Sequence, residues 1–298
     1  MRCLITGGSG FIGRALCRSL LADGHEPVVL TRDAGRARQR LPTEVALIER
    51  LGDAGGVDAI VNLAGENLYD RRWTAARKQA LRASRIDTTR HLVDWIAAQQ
   101  RKPRVLVSGS AIGWYGPRGD EELDENASPG DDFAAQLCRD WEAEAEKASA
   151  FGVRVCRVRT GIVLDADGGA LAKMLMPFRL GLGGRFGDGR QWMSWIARED
   201  EVRLIRWLLD TESAQGAYNA TAPAPLTNAE FTRTLGAALH RLAILPAPAF
   251  ALRLMLGEMA ELLLSGQRVL PARAQAQGFA FRHRDLAGAL NAILQTAA

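Results

Sequence analysis

The head of the chain constrains its fold more than any other stretch. Cys3-Leu4-Ile5-Thr6 is an apolar strand that runs directly into Gly7-Gly8-Ser9-Gly10-Phe11-Ile12-Gly13. Arg14 to Leu21 then repeats Leu16, Leu20 and Leu21 at helical spacing. Glycine allows the backbone to turn sharply and to approach a pyrophosphate with no Cβ in the way. The free N–H groups and the positive dipole end of the following helix then face the anion. A G-x-G-x-x-G pattern alone is weak, but between a strand and a helix it predicts a dinucleotide site. Other strand–helix turns also use glycine, so the context carries the inference.

The rest of the first half alternates strand and helix. Strands are predicted at Glu26–Thr31, Val45–Glu49, Asp58–Ala64, Arg104–Ser108 and Val153–Val158, and helices at Thr74–Gln100 and Asp132–Ala150. Short apolar runs separated by helices imply a parallel sheet covered on both faces. After Gly161 the alternation loosens. Helices are expected at Leu171–Leu180, Glu199–Leu209, Thr227–His240, Pro246–Gly257 and Asp285–Leu294, with a short strand at Ala217–Asn219. The predicted fold is α/β, a doubly wound parallel (Rossmann) sheet with a smaller C-terminal α/β substrate lobe. The boundary falls at 1–161 and 162–298, with interleaving of the two allowed.

Composition narrows the partners. Hydrophobic residues make up 47% of 298 and the net charge is only +4, ordinary for a globular chain. The densest basic stretch, Arg36-Ala37-Arg38-Gln39-Arg40, lacks interleaved aromatics, so no nucleic-acid partner is expected. Cys3, Cys17, Cys138 and Cys156 are scattered, as are His25, His91, His240 and His283, and no metal site is indicated. The apolar stretch from Leu242 to Leu264 is broken by Pro246, Pro248, Arg253, Glu258 and Glu261. It is too interrupted to span a bilayer. With a core strand beginning at residue 2, the expectation is a cytoplasmic chain with no membrane partner.

The end of the second strand selects the cofactor. An acidic residue there favours NAD(H), whereas arginine accommodates a 2′-phosphate. Thr31 is followed by Arg32, with Arg36 and Arg38 nearby, so NADP(H) is preferred. Asp33 keeps NAD(H) open.

Thr6 to Gly13, Asn62-Leu63-Ala64-Gly65 and Val107-Ser108-Gly109-Ser110 ahead of Tyr115-Gly116 resemble the extended short-chain dehydrogenase/reductases. Glu66, Trp73, Arg157 to Gly161, Gly187 to Gln191, Trp195-Ile196, Gly266 to Pro271 and Gly278-Phe279 narrow the resemblance to their atypical epimerase-family branch. The resemblance spans nearly the whole chain. It implies that Gly7, Gly10 and Gly13, with Gly8, Ser9, Phe11 and Ile12 in the same turn, hold the pyrophosphate. Thr31 and Arg32 would take the adenosine ribose phosphate, and Leu63, Ala64, Gly65, Glu66 and Ser108 would line the cofactor. Ser110 would hydrogen-bond the reacting oxygen, although a strand-end serine also caps local backbone.

The chain departs from the wider superfamily in its acid–base pair. Most members use Tyr-x-x-x-Lys, but four residues after Tyr69, Tyr115 and Tyr218 stand Trp73, Gly119 and Ala222. Phe133 and Leu137 occupy the helix where the pair belongs, and a phenyl ring carries no proton. General acid–base catalysis contributes about 10²–10⁴-fold, which Tyr115, Glu66, Asp120 or Glu121 would have to supply. Met193 and Ala197 also stand where nucleotide-sugar enzymes of the group carry arginine and histidine. Two functions follow. One is an NADP(H)-dependent oxidoreductase or epimerase acting on a small carbonyl or hydroxyl compound, sugar nucleotides included. The other is a catalytically inactive NADP(H)-binding sensor or protein-interaction module. The Thr74–Gln100 helix offers a surface for a homodimer and would pack equally well inside a monomer.

Overall fold

A computed structural model describes residues 1–296. The first half alternates as expected: β1 (Arg2–Thr6), α1 (Phe11–Ala22), β2 (Glu26–Leu30), α2 (Ala34–Arg38), β3 (Ala46–Ile48), β4 (Ala59–Asn62), α3 (Ala75–Ala98), β5 (Val105–Ala111), α4 (Phe133–Glu146) and β6 (Arg154–Thr160). After these come α5 (Gly169–Arg179), α6 (Arg198–Asp210), β7 (Gly216–Ala220), α7 (Asn228–Ala238), α8 (Ala249–Leu256), α9 (Glu261–Leu264), α10 (Ala272–Ala276) and α11 (Leu286–Thr296). The strands form one seven-stranded sheet, β7-β6-β5-β4-β1-β2-β3, parallel throughout.

Alternate residues of each strand feed two cores. Cys3, Ile5, Val29, Val61 and Val107 point to the face covered by α1, where they meet Leu16 and Leu20. Leu4, Val28, Ile60 and Leu106 point to the other face and pack under Leu92, Val93 and Ile96 of α3. A strand buried on both sides reads as an unbroken apolar run, which is why these strands are legible. Helices α3, α4 and α7 start on side-chain caps: Thr74 accepts the Arg77 N–H and Asp132 the Ala135 N–H, and Thr227 forms a capping box with Glu230. All four cysteines are free and buried, with the Cys17 and Cys138 thiols pushed up to about 12 by burial.

The second half of the chain returns to the sheet. Helix α6 lays Leu204, Ile205, Leu208 and Leu209 into the same core as α1, and β7 adds the last strand beside β6. Arg154 of β6 latches them, donating to the carbonyls of Leu208 at 2.9 Å and Ala214 at 2.7 Å. Phe279 and Phe281 close the same core. Residues beyond 161 thus complete the core that the first part begins, the interleaving that the sequence allows. A separate core of Leu164, Leu171, Phe178, Trp195, Phe231 and Leu290 gathers α5, α7 and α11 beside the sheet. Short pairings stitch it together: Ile162–Asp165 with Trp195–Ala197 and Trp192–Met193 with Leu226–Thr227; Glu122–Leu123 pairs with Arg268–Val269 in a further small cluster around Tyr115.

Because α6 and β7 complete the first core, a fragment ending at residue 161 is expected to show no cooperative unfolding in urea. In the full chain Leu208→Ala is expected to cost about 2–5 kcal/mol within a single transition. A stable 1–161 fragment would contradict this.

Candidate functional site

The sheet order reverses between β1 and β4, and the crevice beyond the strand ends at such a point is where open α/β sheets bind ligands. The turn from β1 to α1 lies there. Gly7 has φ +68°, and a Cβ on it would sit 2.5 Å from the Leu63 carbonyl oxygen. A Cβ on Gly13 would lie 2.6 Å from the Gly8 Cα. Both positions require glycine, one to let the loop after β4 close on the turn and one to let α1 sit down on it. Gly8 rests against Val29 of β2. Helix α1 has no side-chain cap and no acid in its first turn, so the head of the helix is left for an anion. Ser9, Phe11 and Ile12 are half-buried and Gly10 is exposed at its mouth. The Phe11 ring is walled by Arg198 at 4.9 Å and by the Gly168-Gly169 backbone.

At the end of β2 the arginines divide. Arg38 is consumed structurally, donating to the carbonyls of Pro42 and Val45 at 2.6 and 2.8 Å. Arg32 and Arg36 are exposed, and their guanidinium groups have no hydrogen bond or ion pair among the described residues. The Asp33 carboxylate is occupied, capping α2 through the Arg36 N–H at 2.8 Å. Thr31 braces the same loop through the Asp33 backbone. The side chains left free here are cations, which suits a phosphate rather than a bare ribose.

Beneath the turn lies a closed polar network. Buried Asn62 accepts from the Thr6 hydroxyl at 2.6 Å and donates to Thr89 at 2.8 Å and Ser108 at 3.3 Å. Trp141 Nε1 also donates to Thr89, and Thr6 receives the Ala64 N–H at 3.2 Å. Ser108 is fully buried and bonded into this network beneath the turn. Leu63 and Ala64 are half-buried and Gly65 exposed at the crevice. Gly65 leaves room for the Arg85 guanidinium, which donates to the Glu66 carbonyl at 2.9 Å. The Glu66 carboxylate pairs with Arg77, tying this loop to α3.

Ser110, near the end of β5, belongs to a second network. Its hydroxyl donates to Glu142 of α4 at 2.7 Å, and Arg159 of β6 grips the same carboxylate at 2.8 and 3.0 Å. Glu142 and Arg159 are both buried, and Arg159 also stacks 3.9 Å from the Trp114 ring. Tyr115 is fully buried; its hydroxyl donates to Asn219 at 2.7 Å and accepts from Arg159 at 3.0 Å. Burial pushes the phenol up to about 12. Asp120 accepts from Trp192 and Glu121 pairs with Arg118, so the acidic loop is engaged on the surface. Phe133 stacks edge-on against Trp73, with Lys78 5.1 Å from its ring, and Leu137 is buried in the same cluster. Sequence reasoning gave no role to Glu142 or Arg159. Ser110 and Glu142 are 32 positions apart, and only the folded sheet brings them together.

Glu201 in the first turn of α6 is also fully buried. One of its oxygens accepts from the Thr160 hydroxyl at 2.8 Å, and the other has no partner. Loss of solvent pushes its carboxyl up to about 8.

A glycine turn opening a helix at the switch point of a parallel sheet defines a doubly wound dinucleotide-type fold, and comparison with known proteins agrees. The NAD dependent epimerase/dehydratase family matches residues 3–221, and a C-terminal domain of unknown function (DUF1731) matches residues 247–293. The chain belongs to that epimerase/dehydratase family. It is 42% identical over 304 residues to the chloroplastic SDR39U1 homolog, an epimerase family protein of Arabidopsis thaliana, covering 99% of this chain and 87% of that one. It is 43% identical to the epimerase family protein ML0860 of Mycobacterium leprae, covering 96% and 94%. The crystal structure of human epimerase family protein SDR39U1 with NADPH superposes at TM-score 0.90, with 37% identity and 99% of each chain covered.

The two buried acids give separable expectations. Arg159→Met leaves Glu142 buried without its partner and is expected to cost about 3–5 kcal/mol in chemical denaturation, most of it restored by adding Glu142→Leu. An additive double variant would contradict the pairing. For Glu201, the unfolded chain releases the proton near 4.5 while the native site keeps it to about 8. The native state binds more protons across that interval, so the contribution of this site to stability falls as pH rises through it. Glu201→Gln is expected to flatten that decline and to be the more stable protein at pH 8, by on the order of a few kcal/mol. Parallel pH profiles for the two proteins would remove this assignment.

Proposed function

We propose that this chain binds NADP(H) and acts as an oxidoreductase or epimerase on a small carbonyl or hydroxyl compound. The observation that carries it is the Gly7–Gly13 turn opening α1, whose head has no side-chain cap and no acid in its first turn, beside the free guanidinium of Arg32. The relative crystallised with NADPH supports the same reading. The N–H groups of Phe11 and Ile12 would hold the pyrophosphate, and Arg32 with Arg36 the 2′-phosphate. A bound nicotinamide supplies or accepts hydride, and the protein's task is to position it. Ser110 is the residue assigned to the reacting oxygen. Its proton is directed at Glu142, so it would have to reorient to donate to substrate or else receive a proton from it.

That same engagement favours a second reading, a cofactor-binding protein without turnover. Both hydroxyls nearest the expected chemistry, of Ser110 and Tyr115, are spent inside buried networks. Tyr115 is assigned a structural role in either case, holding Arg159 and Asn219 together.

Titration calorimetry is expected to show NADPH bound more tightly than NADH, with the preference falling about tenfold or more in Arg32→Ala as a charge-assisted contact is lost. An unchanged ratio would falsify the assignment of Arg32. Oxidation of NADPH across a panel of small carbonyls separates the two readings: turnover abolished in Ser110→Ala supports the enzyme. No turnover with intact NADPH binding supports the sensor.

A further inference from the structure

Eleven large apolar side chains are exposed among the described residues, and nine of them fall in two short segments, 169–185 and 239–256. They include Met176, Leu180 and Leu182 on one side and Leu242, Phe250 and Leu254 on the other. Together these segments carry Lys173, Arg179, Arg185, Arg241 and Arg253 and no aspartate or glutamate. All five are exposed; Arg253 pairs with Glu261 at 2.8 Å, while Lys173, Arg179, Arg185 and Arg241 have no ion pair among the described residues. The segments form one face: Leu245 donates to the Gly183 carbonyl at 3.2 Å, Ala247 to that of Arg185 at 2.8 Å, and Arg241 Nε to that of Arg179 at 3.1 Å.

We infer that this face docks on an anionic lipid surface, with α8 lying in the interface and the basic side chains against the headgroups. Helix α8 is apolar at every position except Arg253, and none of its residues is buried. A helix apolar all round demands apolar surroundings; Ala249, Ala251, Leu252 and Leu256 are half-covered, but Phe250, Leu254 and Met255 stand exposed to solvent. Arg72 holds the C-terminal end of α8, donating to the Met255 carbonyl at 2.8 Å, and the segment leading into the helix is pinned where Gly187 donates to the Ala247 carbonyl at 2.9 Å. Charge decides between the candidate occupants. A second copy meeting this face through a two-fold axis sets arginine against arginine. An anionic bilayer presents charge of the opposite sign and a fluid apolar layer that needs no fitted groove. Among the described residues no helix is long and apolar enough to cross a membrane, and lying on its surface asks for no such helix.

The test is flotation of the full chain with vesicles of phosphatidylcholine alone and of phosphatidylcholine mixed with phosphatidylglycerol. The chain is expected to float with the mixed vesicles, weakly with the neutral ones, and less as salt is raised. Removing apolar contact with Phe250→Ser and Leu254→Ser is expected to lower partitioning by about tenfold or more per side chain. Lys173→Gln and Arg179→Gln are expected to lower it by about fivefold per charge, on anionic vesicles only. NADPH titration of each variant is expected to match the unsubstituted chain, which shows that the fold is intact. The inference is overturned if the chain floats with neither vesicle, or if these substitutions leave partitioning unchanged. It is overturned equally if sedimentation shows a dimer that Phe250→Ser and Leu254→Ser split, because a second copy then covers the face.

Discussion

The close approach of Gly7 to the Leu63 carbonyl fixes everything built at the strand ends. It draws the loop after β4 onto the turn after β1, so that two chain segments far apart in sequence share one crevice. The buried amide of Asn62 holds the same two strands together from below, bonding Thr6 on one side and Ser108 on the other. With that floor satisfied, the head of α1 needs no side chain of its own to cap it. An unoccupied set of helix N–H groups is tolerable where an anion takes them up.

One strand further along, the design changes from an open anion seat to a closed ion pair. Taking Glu142 and Arg159 out of water is costly, and the arrangement is sustained because each remaining hydrogen-bonding position is used. Ser110 gives its proton to Glu142, Tyr115 and the Glu125 carbonyl take up Arg159, and Trp114 covers the guanidinium face. The consequence for chemistry is direct. A hydroxyl committed to a buried carboxylate is held in place but gives up that bond at a cost if it is to donate to a substrate instead. The same network fixes the order of β5, β6 and α4, so position and reactivity at Ser110 are set by one set of bonds.

How much of this was legible depends on the range of the interaction. Strands buried on both faces advertise themselves as apolar runs, and the caps at Thr74, Asp132 and Thr227 mark helix starts within a few residues. The glycine turn was legible because its constraint is local. The return of α6 and β7 to the first core was not, since Leu204, Leu208 and the Gly216–Ala220 strand look the same whichever sheet receives them. The two-residue pairings, such as Glu122–Leu123 with Arg268–Val269, are too short to show any period. At the site, Ser110 stands at its predicted strand end. The partners that set its chemistry lie on other elements, and no spacing rule reaches them. Ser108 reads as a cofactor contact in sequence, and its bond to Asn62 of the neighbouring strand is one that no local spacing reveals.

Whether the head of α1 holds the pyrophosphate is tested most directly by a crystal structure of the chain grown with NADPH. The pyrophosphate oxygens are expected within hydrogen-bond distance of the Phe11 and Ile12 N–H groups, about 2.7–3.2 Å, with the 2′-phosphate beside Arg32. Cofactor density lying elsewhere, with the Gly7–Gly13 turn empty, would contradict it.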